Sequence, residues 1–139
     1  MAESDDPLSA AIQRVTGTHC IGDLFDCECD SSRLQDVVLG EKFLLDQIRS
    51  AGFSILKYAF HQFDPMTEEG LGGYTGMIVL GESHLSIHTW PDEREVYLDL
   101  YTCNVSQDNS AQTVRAFINI INWFQPRSRS KRIIKRGKK

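Results

Sequence analysis

The chain has 139 residues, of which 41% are hydrophobic, and a formal net charge of −4. A chain of this size buries roughly two-thirds of its unfolded surface, so we expect one compact domain over residues 1–139. The acidic start MAESDDPLSA lacks the apolar core of a secretory signal, and the longest aliphatic run, Met77 to Leu80, is too short to span a membrane. These features argue against an exported or membrane-spanning protein and predict a soluble, cytoplasmic one.

The first predicted strand, VTGTHCIGDLFDC, ends near Cys27. Three cysteines, Cys20, Cys27 and Cys29, lie in this strand or just after it. With Cys103 they are interpreted as free thiols, because the chain carries no export signal. The C-x6-C-x-C spacing suggests zinc, but it lacks a paired C-x-x-C and a nearby fourth ligand. We therefore expect small buried cysteines and no metal site.

A helix is predicted next, from a capping sequence at residues 30–32 to Gly52, a residue type common just after a helix. Its apolar stripe consists of Leu34, Val37, Val38, Leu44, Leu45 and Ile48. The following segment, FSILKYAFHQF, is typical of a strand. After it, DPMTEEGLGG is typical of a loop, because it is rich in proline, glycine and acidic residues.

Three further strands are predicted in YTGMIVLGE, HLSIHTW and EVYLDLYTC, with Pro91 and Asp92 turning the chain between the last two. The apolar residues of a second helix are Val114, Phe117, Ile118, Ile121 and Phe124, and the helix ends before Pro126. This succession predicts the α/β (α+β) class. We expect a two-layer sandwich in which helices cover one face of a mainly antiparallel sheet.

The end of the chain, RSRSKRIIKRGKK, holds eight of the fifteen basic residues and no acid. The first 126 residues hold seven basic residues against nineteen acidic ones. A basic tail is a candidate for binding nucleic acid or an anionic surface. However, no aromatic residue interleaves it, and KRIIKR also fits a short strand. We expect a solvated or strand-forming terminus, and neither a nucleic acid nor a membrane as partner.

The densest set of reactive side chains lies in LGESHLSIHTWPDEREVYLDLYTCN, residues 80–104. It contains no GxSxG elbow, no HExxH helix and no glycine-rich phosphate loop. A hydrolase triad would join Ser83 to His88 and to a carboxylate such as Asp99. Strand alternation places Ser83 and His88 on opposite faces, which argues against that triad. A serine in a turn, a strand histidine and a buried cysteine at Cys103 each have a purely structural explanation when taken singly.

The string ESHLSIHTWP, followed by YTC, resembles the self-processing motif of the bacterial and archaeal S-adenosylmethionine decarboxylases, which are pyruvoyl enzymes of polyamine synthesis. The likeness runs from GTHCIGDLF through AFHQF and TGMIVLGESHLSIHTWP to IIKRG, which is most of the chain. In that family the precursor cuts itself between a Glu and a Ser, which here are Glu82 and Ser83. The resemblance therefore implies a proenzyme that divides into residues 1–82 and 83–139.

The resemblance also implies the chemistry of this motif. The Ser83 hydroxyl attacks the carbonyl of Glu82, the resulting ester eliminates to dehydroalanine, and hydrolysis leaves a covalent pyruvoyl group. Its ketone forms a Schiff base with the substrate amine and accepts the electrons released when carbon dioxide leaves. His88 matches the processing histidine, and Thr75 stands where a serine hydroxyl usually assists cleavage. Cys103 matches the thiol that donates a proton to the product carbon.

Three more residues are implied to bind the substrate. Phe63 matches an aromatic residue that stacks on the adenine ring. Trp90 belongs to the same motif as the cleavage site. Asp92 replaces a glutamate that holds the ribose hydroxyls, and its side chain is shorter by one methylene. The resemblance thus implies S-adenosylmethionine as the substrate, bound by a homodimer of processed protomers with active sites near their interface.

Two alternatives depart from this interpretation. Relatives in the family decarboxylate ornithine or arginine, and the long loop at 64–73 supplies Glu68 and Glu69 near the presumed pocket, where acids would suit a cationic substrate. A catalytically inactive regulatory paralogue is the second alternative. It is disfavoured because such a chain should have lost Ser83 or Cys103, and both are present.

Overall fold

The computed structural model describes residues 16–105 and 107–137. In chain order the elements are β1 (Gly17–Cys27), α1 (Ser32–Gln35), α2 (Val37–Ser50), β2 (Ile55–Gln62), β3 (Tyr74–Leu80), β4 (Ser83–Trp90), β5 (Glu95–Cys103), α3 (Ser110–Phe124) and β6 (Pro126–Arg136). The acidic segment at 1–10, on which the export prediction rests, and the last two lysines lie outside the described residues. None of the described helices is long and apolar enough to cross a membrane.

The six strands form one sheet in the order β2-β3-β4-β5-β1-β6, and every neighbouring pair is antiparallel. The helices pack on one face of this sheet, which confirms the predicted two-layer α+β sandwich. We call the opposite face, which carries His19, His88, Asp99 and Cys103, the open face. The predicted strand in KRIIKR is also confirmed, since it forms the second half of β6.

Hydrophobic periodicity explains how the two layers meet. In α3 the buried side chains recur every three or four residues, and they are Thr113, Ala116, Phe117, Ile120, Ile121 and Phe124. In β4 and β5 every second residue is buried, as expected for strands covered on one face. The core therefore lies between the helices and the sheet.

The prediction of one continuous helix after residues 30–32 is wrong at Asp36. That residue has an extended backbone, and its carboxylate accepts hydrogen bonds from the N–H groups of Val38 and Leu39. It therefore caps α2, because free N–H groups at a helix start need an acceptor. The predicted end is confirmed: Gly52 follows the last turn with a φ of 92°, a left-handed conformation that glycine adopts readily.

Candidate active site

The β3–β4 hairpin turns on Gly81 and Glu82. Leu80 pairs with Ser83, so Ser83 is the first residue of β4, and the prediction that it lies between two strands is corrected by one position. Glu82 has a φ of 57°. For a residue other than glycine this left-handed conformation costs about 1–2 kcal/mol. The Glu82–Ser83 peptide bond thus follows a locally strained residue, in a turn that reaches solvent.

The end of β5 lies against this turn. The backbone N–H of Cys103 donates a hydrogen bond to Ser83 Oγ, with the two atoms 3.0 Å apart. Asn109, at the start of α3, donates from its side chain to the Cys103 carbonyl at 3.0 Å. These residues line a cavity of about 260 Å³ at this end of the sheet. Ser83 and Cys103 are therefore brought together, as the motif requires.

His88 lies elsewhere. It is five residues farther along β4, on the open face, whereas Ser83 belongs to the alternate set of residues that faces the helices. A strand rises about 3.3 Å per residue, so the two Cα atoms are roughly 16 Å apart. His88 Nδ1 is 2.7 Å from Thr75 Oγ1 across the strand pair, and Asp99 instead contacts His19 Nε2 at 3.0 Å. The Ser83–His88–Asp99 triad is thereby excluded within one chain.

A second cavity, of about 510 Å³, lies at the His88 end of the hairpin. Its lining includes Phe63, Thr75, His88, Trp90 and Asp92, so the structure brings all three predicted substrate-binding residues next to the Thr75–His88 pair. None of them lines the cavity at Ser83. The predicted site residues consequently fall into two groups at opposite ends of β4.

Asp92 also has a structural role that the sequence did not reveal. Its Oδ1 accepts a hydrogen bond at 3.1 Å from the N–H of Leu71, in the 64–73 loop. The loop is thus tied to the β4–β5 turn, beside the second cavity. Glu68 and Glu69 are exposed and are not among the residues lining that cavity, whereas Asp64, Asp92 and Glu93 are. The acidity of the second cavity comes from these three carboxylates.

The cysteine cluster at the end of β1 is buried and pinned by Arg94. The Arg94 guanidinium donates to the carbonyls of Cys27 and Cys29. Burial raises the pKa of the Cys27 thiol to about 12 and that of the Cys20 thiol to about 11. Metal binding requires thiolates, which such pKa values disfavour. Within the described residues no three His, Cys, Asp or Glu side chains form a metal-binding group.

Two residues near Cys103 were missed by the sequence reasoning. Asn109 fixes the Cys103 backbone, and its place just before a predicted helix, where asparagine caps are common, was the available signal. Tyr101 precedes Cys103 by two residues and therefore shares its face of β5. The string YTC already indicates that Tyr101 and Cys103 share a face of the strand, but only the folded sheet reveals what the Tyr101 phenol contacts.

The chain shares its fold, an antiparallel sheet backed by helices, with a decarboxylase of known structure. The crystal structure of the adenosylmethionine decarboxylase from Aquifex aeolicus VF5 is similar, with a TM-score of 0.74 and 29% sequence identity over 90% of this chain and 93% of that one. The family model described as S-adenosylmethionine decarboxylase matches residues 18–137. The chain belongs to the S-adenosylmethionine decarboxylase family.

Two curated relatives support this assignment, and both are named S-adenosylmethionine decarboxylase proenzyme. The protein from Persephonella marina is 33% identical over 127 residues, which is 91% of this chain and 86% of the relative. The protein from Pseudomonas paraeruginosa is 38% identical over 110 residues, which is 79% of this chain but only 60% of that longer relative. The residues that the family model matches, 18–137, include the lining of both cavities and the β3–β4 hairpin.

Proposed function

We propose that this chain is a self-processing carboxy-lyase that converts S-adenosylmethionine to its decarboxylated form for polyamine synthesis, using a pyruvoyl group made from Ser83. The observation that carries the proposal is the strained Glu82–Ser83 turn, whose serine hydroxyl is held against the Cys103 backbone. The names of the relatives favour this substrate over ornithine or arginine and favour an enzyme over an inactive regulatory paralogue.

Self-cleavage begins at the turn. The Ser83 hydroxyl oxygen bonds to the carbonyl carbon of Glu82, and the peptide C–N bond breaks, so that an ester replaces the amide. The left-handed strain at Glu82 is relieved when the turn opens, which favours cleavage at this bond. Elimination from that ester removes the Ser83 α-proton, the role proposed for His88, and breaks the bond from Ser83 Cβ to the ester oxygen, so that residues 1–82 leave with a free carboxylate. Hydrolysis of the dehydroalanine that remains at position 83 releases ammonia.

A pyruvoyl group at position 83 would supply an electron sink for the bonding pair left on the substrate α-carbon when the carboxylate leaves as carbon dioxide. The residues present fit such a group, because the Ser83 position opens into a cavity beside the Cys103 thiol. Cys103 then donates its proton to the substrate carbon that lost the carboxylate. The carboxylates of Asp64, Asp92 and Glu93 make the other cavity suited to a sulfonium cation.

The separation of the two groups of site residues points to a site built from two protomers. Cys103 and the Thr75–His88 pair share the open face but lie at opposite ends of it. Two protomers can stack their open faces around a two-fold axis that runs perpendicular to the strands. In that arrangement the Cys103 end of one protomer lies over the Thr75–His88 end of its partner. Exposed apolar side chains on this face, Met77, Val79, Trp90 and Ile134, favour such a contact. We therefore propose a homodimer. Each active site takes Ser83 and Cys103 from one protomer and the Thr75–His88 end of the open face from the other.

Co-expression of two inactive variants tests this arrangement. Ser83→Ala keeps His88 but has no nucleophile, and His88→Ala keeps the nucleophile but should stall alone as an ester or an uncut chain. In a mixed dimer, Ser83 of the His88→Ala chain meets His88 of the partner subunit. We expect intact mass spectrometry to find cleavage of the His88→Ala chain only, in a sizeable fraction of the co-expressed protein. If both chains stay uncut in the mixture, His88 acts on Ser83 of its own protomer, and the shared active site is refuted.

Phe63→Ala tests substrate recognition. Stacking of a base on an aromatic ring contributes about 1–3 kcal/mol, so we expect the KM for S-adenosylmethionine to rise roughly 5- to 150-fold. Tyr58→Ala is a matched control, since Tyr58 lies on β2, which ends just before Phe63, and is also half exposed but does not line the cavity. Steady-state decarboxylation assays with S-adenosylmethionine, ornithine and arginine provide the comparison. Turnover of ornithine or arginine in place of S-adenosylmethionine would refute the substrate assignment alone.

A further inference from the structure

The phenol of Tyr101 leans across the sheet toward the cysteine proposed as proton donor. Gly17 is the register partner of Cys103, and the Tyr101 ring lies directly over it. A Cβ atom at position 17 would be 2.7 Å from the phenolic oxygen and 2.5 Å from ring atom Cε1. Only glycine leaves this space free, so the hydroxyl comes to lie beside the sheet position that Cys103 occupies.

Three neighbours fix the ring in that place. The Arg136 guanidinium lies 4.8 Å from the ring centroid, a cation–π contact from the end of β6. The His19 ring packs edge-on at 5.9 Å between centroids, and the His84 ring is 5.8 Å away. A ring held on several sides keeps its hydroxyl at one end of the open face. That end is the one that carries Cys103.

The charge state of the phenol suits a hydrogen-bond donor. Burial raises the pKa of Tyr101, and the negative charge of a nearby Cys103 thiolate raises that pKa further. The Arg136 charge acts in the opposite direction but less strongly. The phenol consequently keeps its proton through the pH range in which a thiol ionises.

We propose that Tyr101 is a positioning residue for Cys103: its hydroxyl donates a hydrogen bond to the Cys103 sulfur and stabilises the thiolate that forms when the thiol gives up its proton. The inference rests on the proposed function, in which that proton goes from sulfur to the substrate carbon while the bonding electron pair stays on sulfur. The phenol keeps its own proton throughout, and water returns a proton to the sulfur after the product leaves.

The proposal predicts the reactivity of the thiol without any substrate. Tyr101→Phe removes the hydroxyl and keeps the ring over Gly17. Loss of a hydrogen bond to a charged group should slow the alkylation of Cys103 by iodoacetamide about tenfold near neutral pH. Cys103 is the only cysteine in residues 83–139, so the mass of that fragment counts the label in processed protein. Peptide mass mapping counts it in an uncut chain.

Tyr97→Phe is the matched control, because Tyr97 lies on the same face of β5 and donates its hydrogen bond to Glu95 instead. We expect its alkylation curve to coincide with that of the wild type. In processed enzyme Tyr101→Phe should also lower kcat while leaving KM unchanged. Coincident alkylation curves for Tyr101→Phe and the wild type would overturn the proposal. Since alkylation needs no turnover, a wild type without decarboxylase activity would count against the proposed function and leave the result for Tyr101 standing.

Discussion

Ser83→Ala is expected to abolish self-cleavage completely, so that the purified variant remains a single chain of 139 residues. The alanine has no hydroxyl to attack the Glu82 carbonyl, and no pyruvoyl group can form from it. Decarboxylation should be lost with it, since the electron sink is absent. The wild type should resolve into residues 1–82 and 83–139, the smaller beginning with a blocked N-terminus, and intact mass spectrometry measures both results.

Ser86→Ala provides the control for this experiment. Ser86 lies three residues along the same strand, on the open face, and its hydroxyl contacts Asp99 at 3.5 Å. We expect this variant to be cleaved like the wild type. A wild-type chain that stayed whole after long incubation, with a free serine at position 83, would contradict the pyruvoyl mechanism.

Cys103→Ala should separate processing from turnover. The proposed proton donation comes after the pyruvoyl group has formed, and Ser83 Oγ is held by the backbone N–H of residue 103, which alanine keeps. We therefore expect cleavage to proceed while the decarboxylation rate falls by about 10²-fold or more, the usual scale for losing a positioned proton donor. Mass spectrometry follows the cleavage, and release of carbon dioxide follows the turnover.

The cleaved fraction of Cys103→Ala is the internal control, because it proves that the variant folds and carries the cofactor. Only that fraction enters the rate calculation. Full turnover by the cleaved variant would require a different proton donor. Loss of cleavage itself would mean that the thiol, and not only the backbone, takes part in processing.

The break between α1 and α2 illustrates what local patterns leave open. The apolar stripe from Leu34 to Ile48 predicted a single helix. Its members Leu34, Leu44, Leu45 and Ile48 are buried, but Val38 is 71% exposed. Asp36 interrupts the stripe because its carboxylate offers the next turn a cap, and a periodic pattern of apolar residues contains no information about such competition. The packing of the helices on the sheet tolerates the break, since Leu34, Leu44 and Ile48 are all buried.

The sequence by itself predicted the succession of strands along the chain and the mainly antiparallel sheet, because alternation with period two is a local property. The string around Ser83 is also local, and it supplied the resemblance from which the site residues were predicted. Alternation also placed Ser83 and His88 on opposite faces. Only the tertiary structure decided which residues share a cavity. Cys103 is twenty positions from Ser83 in sequence and meets it through strand pairing, whereas His88 is five positions away and lies roughly 16 Å along the strand. Residues close in sequence lie far apart along an extended strand, whereas strand pairing brings residues distant in sequence into contact.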